Sequence, residues 1–114
     1  MIAQVRPGEL NAWLSKVRSE AQKPLVLDVR EPHELALASI GAGDYDFAAI
    51  PMNSVPQQLT ELDPQRPVAC LCHHGGRSMQ VATFLAERGF AQIANIAGGI
   101  DAWALERDPA IPRY

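Results

Sequence analysis

Apolar residues recur with the period of an α-helix in three parts of the chain. In residues 10–17 they fall at positions i, i+3, i+4 and i+7, so they share one face of a helix. Residues 77–88 repeat this pattern, and Gly89 is expected to end that helix. A third helix is predicted to follow Gly98 and Gly99. The aromatic side chains expected to pack in the core from these helices are Trp13, Phe84 and Trp103.

Short, nearly continuous apolar runs alternate with these helices. Residues 25–29, 67–72 and 92–96 are such runs, which are typical of strands buried on both faces of a parallel sheet. A shorter strand is predicted near residues 48–50, and a short helix is expected to begin at Pro32. This alternation predicts an α/β fold in three layers, with helices on both faces of a central, mostly parallel sheet. A ligand site is expected at the carboxyl ends of the strands.

A further helix is predicted in the middle of the chain. Ser54 and Gln57 have the spacing of a capping box, in which two side chains satisfy free backbone amides at a helix start. Leu59 and Leu62 would form the inner face of this helix, and Asp63-Pro64 would end it.

The chain has 114 residues, of which 47% are hydrophobic and 20% are charged, and its net charge is -3. This composition predicts one folded domain over residues 1–114. No apolar run approaches the roughly 20 residues of a membrane helix, and residues 1–6 do not resemble a signal peptide, so a cytoplasmic protein is expected. The negative charge gives no general attraction for nucleic acid. A monomer is expected because no coiled-coil pattern or sticky strand edge is evident.

Residues 72–78 read Cys-His-His-Gly-Gly-Arg-Ser and connect a predicted strand to a predicted helix. The two glycines can adopt backbone angles that other residues avoid, which lets successive amides turn toward an anion. The N-terminus of the helix and the guanidinium of Arg77 add positive charge. A thiolate at Cys72 would be stabilised there and would act as a nucleophile. Attack on the outer sulfur of an anionic donor would leave a persulfide on Cys72.

This loop resembles the active loop of the rhodanese family, which has the form Cys-x-x-Gly-x-Arg, here Cys72, Gly75 and Arg77. The family's Gly-Gly-x-x-Ala-Trp segment, which opens its last helix, is matched by residues 98–103. Its Asp-Val-Arg after a buried strand, with a glutamate soon afterwards, is matched within residues 28–34. These similarities span nearly the whole chain.

The resemblance implies a single-domain sulfurtransferase with a rhodanese-like fold and no cofactor. A sulfane sulfur would pass from an anionic donor, such as thiosulfate or a related persulfide, to a thiol, to cyanide or to a protein acceptor. Cys72 would be the catalytic residue. Substrate binding is expected of His73, His74, Gly75, Gly76, Arg77 and Ser78, and a supporting role is expected of Asp28, Arg30 and Glu34.

One segment departs from the family pattern. Residues 38–40 read Ala-Ser-Ile where the family often has Gly-His-Ile. The distance from there to Pro51 is longer than usual, and Ala49 replaces an asparagine. Because this segment frames the pocket in the family, the pocket rim and the choice of substrate are the least transferable features.

Two other functions fit parts of the pattern. Cysteine-dependent phosphatases and arsenate reductases also hold an oxyanion over a thiolate, but their loops have one residue more between cysteine and arginine than residues 73–76 supply. The smaller loop should suit a single sulfur atom. The other alternative is a non-catalytic binding or regulatory module of the same fold, although such modules often lack the cysteine.

The second cysteine, Cys70, lies inside a predicted strand, where a core position is expected and a resolving thiol is the alternative. Two cysteines separated by one residue form neither a useful disulfide nor a structural zinc site, and no metal is predicted. Arg77 is expected to pair with a carboxylate, either Asp28 or Glu34.

Overall fold

Five parallel strands form the centre of the protein, in a computed structural model that describes residues 2–19 and 22–114. The strands are β1 (Ala3–Val5), β2 (Leu25–Asp28), β3 (Asp46–Ala49), β4 (Val68–Leu71) and β5 (Ile93–Ile96). Their order across the sheet is β1-β5-β4-β2-β3, and all four pairings are parallel. The strand that precedes residues 72–78, the reactive loop, is β4, which is therefore the central strand.

Helices connect the strands and pack against the sheet. The α-helices are α1 (Leu10–Val17), α2 (Pro32–Leu37), α3 (Gly76–Glu87) and α4 (Gly99–Glu106). Short 3-10 turns occupy Pro7–Glu9, Met52–Ser54 and Leu59–Glu61. Among the helices in the described ranges, none combines the length and the apolar character that crossing a bilayer requires.

Alternate residues of β4 pack into two different parts of the core. Ala69 and Leu71 belong to a cluster on the side of α1 and α4, and Cys70 belongs to a cluster on the side of α3. The first cluster includes Leu10, Leu14, Ile100 and Trp103, and the second includes Val81, Ala82 and Leu85. Helices thus cover both faces of the sheet, which confirms the predicted three-layer α/β architecture.

The strongest periodic signals are confirmed nearly to the residue. α1 coincides with the predicted helix, and α3 begins one residue earlier than predicted. Gly89, with φ of 94°, follows the end of α3 in the left-handed conformation that was expected of a helix stop. The predicted strands β2, β4 and β5 are also present, each shortened by one or two residues.

The helix predicted after Ser54 is wrong. Ser54 lies inside a 3-10 turn that begins after Pro51, so its hydroxyl is not at a helix start and caps no amide. Pro56 has no N–H to donate to the carbonyl of Met52, which removes a bond that an α-helix would need there. The segment is held instead by short-range bonds such as the one from the Val55 amide to the Met52 carbonyl, at 3.3 Å.

Both edge strands differ from the prediction. β1 was not predicted, because a strand of three residues with a single partner leaves little periodic signal. β3 begins at Asp46, two residues before the predicted strand, and Phe47 on it is 45% exposed. An edge strand with exposed side chains lacks the continuous apolar run that identifies buried strands.

Candidate active site

Cys72 follows β4 directly, and α3 begins four residues later at Gly76. Only 1% of the Cys72 surface is exposed. The neighbouring strand β2 ends at Asp28, which lies opposite Leu71 of β4. The candidate nucleophile therefore lies at the carboxyl edge of the sheet, where parallel α/β folds bind ligands.

Two polar groups contact the sulfur of Cys72. The backbone amide of Gly75 donates to Sγ at 3.1 Å, and the hydroxyl oxygen of Ser78 lies 3.3 Å from it. Gly75 has φ of 107°, a conformation that strains residues with a Cβ, and this turn aims its amide at the sulfur. Gly76 is the first residue of α3 and is exposed. Among the described residues, the left-handed turn of the loop thus depends on Gly75 alone.

The N-terminus of α4 binds backbone carbonyls of the reactive loop. The amides of Ile100 and Asp101 donate to the carbonyls of Cys72 and His73 at 2.9 Å and 3.2 Å. Gly99 lies so close to both carbonyl oxygens that a Cβ at this position would overlap them. The absence of a side chain at Gly99, the first residue of α4, therefore allows the N-terminus of this helix to dock directly on Cys72 and His73.

Arg77 pairs with Glu34, which resolves the alternative left open by the sequence. Nη1 and Nη2 of Arg77 donate to the two carboxylate oxygens of Glu34 at 2.7 Å and 2.8 Å. The hydrogen bonds from Arg77 lower the pKa of Glu34 from 4.5 to about 2, against the opposing effect of its burial. The same pair raises the pKa of Arg77. The guanidinium is thus held as a fixed cation in the first turn of α3.

Asp28 and Arg30 form a second, fully buried pair beneath the first. Both side chains have 0% exposure, and Nη2 of Arg30 donates to Asp28 at 2.8 Å. Arg30 also donates to the carbonyls of Glu34 and Ala38 at 3.2 Å and 2.9 Å, which fixes α2 against the end of β2. All three residues predicted to support the loop therefore contribute to one network, in which Arg30 positions the element that carries Glu34.

The family model of the rhodanese-like domain matches residues 10–106. The chain belongs to the rhodanese-like domain family. A chloroplastic rhodanese-like/PpiC domain-containing protein of Arabidopsis thaliana is 37% identical over 111 residues, which cover 89% of this chain and 36% of that protein. A sulfurtransferase of Allochromatium vinosum is 32% identical over 98 residues, which cover 86% of this chain and 88% of the relative. This chain thus spans about a third of the first relative and most of the second.

The fold is also shared with solved structures of the rhodanese-like family. The crystal structure of a rhodanese-like domain protein from Staphylococcus aureus superposes with a TM-score of 0.74 at 25% identity, over 99% of both chains. The expectation of a rhodanese-like fold is confirmed.

Tyr114 joins the two ion pairs of this rhodanese-like site, and sequence reasoning missed it. Its hydroxyl accepts a hydrogen bond from Arg30 and donates one to Glu34, both at 3.0 Å. Its ring stacks on His73 with a centroid distance of 3.9 Å and an interplanar angle of 10°. No local sequence signal could have revealed Tyr114, because it lies 80 residues from Glu34 in the chain.

His73 and His74 form the rim of the loop. Their rings stack at 3.9 Å, so His73 lies between His74 and Tyr114. His73 is partly buried, and its Nε2 atom has no hydrogen-bond partner among the residues that the structure describes. His74 is exposed. Donor atoms of both histidines and of Asp101 lie within 4.8 Å of one another, but the Asp101 carboxylate already accepts two hydrogen bonds from Arg113. We therefore assign no metal site to this group.

Two buried residues complete the surroundings of the sulfur. Cys70 has 0% exposure, and burial raises the pKa of its thiol to about 12, which agrees with the expected core position. Asn95 on β5 is 4% exposed and contacts Ser78. Sequence reasoning missed Asn95, although a lone polar residue within the apolar run of β5 is a signal for a buried hydrogen bond.

Proposed function

We propose that the protein is a sulfurtransferase that carries a sulfane sulfur as a persulfide on Cys72. The observation that carries this proposal is the set of groups around one sulfur atom. Cys72 Sγ accepts a hydrogen bond from the Gly75 amide and lies beside the Ser78 hydroxyl. Cys72 is also close in sequence to the N-terminus of α3. The Gly75 amide and the N-terminus of α3 stabilise a thiolate and, equally, the negative terminal sulfur of a persulfide.

The first half of the reaction would load the sulfur. The thiolate of Cys72 attacks the outer sulfur of a thiosulfate-like donor, and a new S–S bond forms. The bond between the two sulfur atoms of the donor breaks, and sulfite leaves with its electron pair. The amide of Gly75 and the N-terminus of α3 would stabilise the charge that passes to the terminal sulfur.

Arg77 would attract the anionic donor by its charge. Its side chain is 32% exposed, and Glu34 fixes the guanidinium in one orientation, so positive charge is available at the entrance without a mobile side chain. His73 stacks on Tyr114, whose hydroxyl contacts Glu34, so His73 and its neighbour His74 lie near Arg77 and would add hydrogen-bond donors for the donor or the acceptor.

The second half of the reaction would pass the sulfur on. A nucleophilic acceptor, either a thiolate or cyanide, attacks the terminal sulfur of the persulfide. The S–S bond breaks, its electron pair returns to Cys72 as a thiolate, and the acceptor leaves as a persulfide or as thiocyanate. No redox cofactor is needed, because the sulfur atom carries the oxidising equivalent from donor to acceptor.

Incubation with thiosulfate followed by intact-mass measurement tests the proposal. We expect the mass to rise by one sulfur atom, and cyanide to remove that atom with release of thiocyanate. Cys72→Ala should gain no sulfur. Cys70→Ala is the matched control and should load normally, because the Cys70 thiol is buried and has a raised pKa. A wild-type protein that remains unmodified with thiosulfate and with a small persulfide donor would exclude the proposed activity.

A further inference from the structure

We propose that Asn95 and Gln4 are positioning residues that set the direction of the Ser78 hydroxyl hydrogen and thereby favour either the thiol or the thiolate of Cys72. This proposal rests on the proposed function, since it concerns the same sulfur atom. It assigns a role to a series of polar contacts, called the polar chain below, that runs from Gln4 on β1 through Asn95 and Ser78 to Cys72.

The chain of contacts is continuous from solvent to the sulfur. Gln4 is exposed, and its Oε1 accepts a hydrogen bond from Nδ2 of Asn95 at 3.0 Å. Oδ1 of Asn95 lies 2.5 Å from the hydroxyl oxygen of Ser78, which in turn lies 3.3 Å from Sγ of Cys72. Asn95 and Ser78 are 4% and 0% exposed, so water does not compete for their hydrogen bonds.

Ser78 has one hydrogen and three acceptors within reach. The carbonyl of Gly75 lies 3.2 Å away, and the sulfur and the oxygen of Asn95 lie at the distances given above. The nearest acceptor is the Asn95 oxygen, so in this arrangement the hydroxyl donates to Asn95 and presents a lone pair to Cys72. A thiol can donate to that lone pair, but a thiolate would meet it as a repulsive contact. This arrangement therefore favours the thiol.

Rotation of the side-chain amides of Asn95 and Gln4 exchanges donor and acceptor in each hydrogen bond of the polar chain. If the Asn95 amide turns by half a rotation, its NH₂ group donates to Ser78, whose hydrogen is then free to point at the sulfur. Gln4 must turn as well, so that its NH₂ group donates to Asn95. The loss is small, because the partner of Gln4 Nε2 within residues 2–19 and 22–114 is the thioether of Met79, a weak acceptor, at 3.0 Å. The reversed arrangement favours the thiolate and the persulfide.

The charged and titratable groups near Cys72 come from several elements. Arg77 of α3 and Cys70 of β4 interact electrostatically with the Cys72 thiolate. Glu34 of α2 binds Arg77 and accepts a hydrogen bond from Tyr114. The ring of Tyr114 stacks on His73 of the loop. These groups are the same in all variants proposed below, so differences among the variants report on the polar chain.

Two substitutions at the exposed Gln4 should act in opposite directions. Gln4→Glu can only accept from Asn95 and locks the thiol arrangement. Gln4→Lys can only donate and locks the thiolate arrangement. We measure the rate of Cys72 alkylation by iodoacetamide against pH, at high salt to screen direct charge effects. Relative to wild type, we expect Gln4→Glu to lower the thiolate fraction about threefold at neutral pH and Gln4→Lys to raise it about threefold.

Two controls separate the polar chain from simple electrostatics. Gln80→Glu adds the same charge at an exposed position of α3, while the hydrogen bonds of the Asn95 side chain in the described part of the protein go to Ser78 and Gln4. This variant should leave the alkylation profile unchanged. Ser78→Ala removes the link between Asn95 and the sulfur. In the Ser78→Ala background, the two Gln4 variants should have the same profile. Equal shifts for Gln4→Glu and Gln80→Glu, or Gln4 shifts that persist without Ser78, would show the proposal to be wrong.

Thiosulfate loading provides a separate readout of the proposed function. Loading of the wild-type protein together with identical alkylation profiles for all Gln4 variants would contradict this inference and leave the sulfurtransferase intact. Opposite shifts in the alkylation profile without any loading of sulfur would support the polar chain and contradict the sulfurtransferase.

Discussion

At the scale of single residues, the ion pair of Glu34 with Arg77 in the candidate active site should make the stability of the protein depend on pH in the acid range. Its pKa is lowered from 4.5 to about 2, chiefly by hydrogen bonds from Arg77. A lowered pKa in the folded state stabilises the protein above the ordinary pKa, and this stabilisation is lost as the pH falls toward the lowered value. We expect Glu34→Gln to lower the free energy of unfolding by about 2 kcal/mol at pH 7. Urea unfolding at several pH values measures the effect.

The difference between wild type and Glu34→Gln should decrease from about pH 4.5 downward and nearly vanish near pH 2. Glu87→Gln is the matched control, because Glu87 is an exposed residue of α3 and should give a small difference at every pH. A difference for Glu34→Gln that stayed constant from pH 7 to pH 2 would contradict the assigned pKa shift.

The residues that sequence could identify are those whose role depends on near neighbours in the chain. Cys72, Gly75 and Arg77 lie in one short loop between a strand and a helix, and the local pattern is sufficient to place them. Tyr114 and Asn95 act through contacts with residues 80 and 17 positions away. Such contacts depend on how the elements pack, and no periodic pattern records them.

At the scale of elements, the docking of α4 on the loop depends on a residue without a side chain. Gly99 has φ of 61°, and a Cβ there would overlap the carbonyl oxygens of Cys72 and His73. Gly99→Ala should therefore displace the loop, lower the free energy of unfolding by about 2 kcal/mol or more, and reduce thiosulfate loading. Thermal unfolding and intact-mass measurement give the two values.

Gly41→Ala is the control for this substitution, because a Cβ at Gly41 would meet no atom within 4 Å. We expect a change of at most about 0.5 kcal/mol for it. If Gly99→Ala were as stable and as active as Gly41→Ala, the close approach of α4 to the loop would not be required.

The elements that sequence predicted share a strong periodic signal, and the others do not. Buried strands such as β4 and helices with one apolar face such as α1 follow directly from the spacing of apolar residues. The segment after Ser54 has a capping pattern, but a 3-10 turn and Pro56 interrupt the hydrogen bonds of a helix. Local patterns state a preference, and the backbone hydrogen bonds available in the packed structure decide the outcome.

At the scale of the whole molecule, the fold brings three separate helix and strand ends to one edge of the sheet. The end of β4 carries Cys72, the start of α3 carries Arg77, and the start of α4 binds the loop carbonyls. These parts converge because the sheet is parallel, so every strand ends, and every following helix begins, on the same side.

The geometry favours sulfur over phosphate. Transfer of a phosphoryl group requires donors for three equatorial oxygens. Here Glu34 engages both terminal nitrogens of Arg77, and the Gly75 amide is directed at Sγ itself. We therefore expect wild-type protein to hydrolyse an aryl phosphate no faster than Cys72→Ala does, in a preparation that loads sulfur from thiosulfate. Phosphate release that depended on Cys72 would contradict this expectation and would assign phosphatase activity to the site.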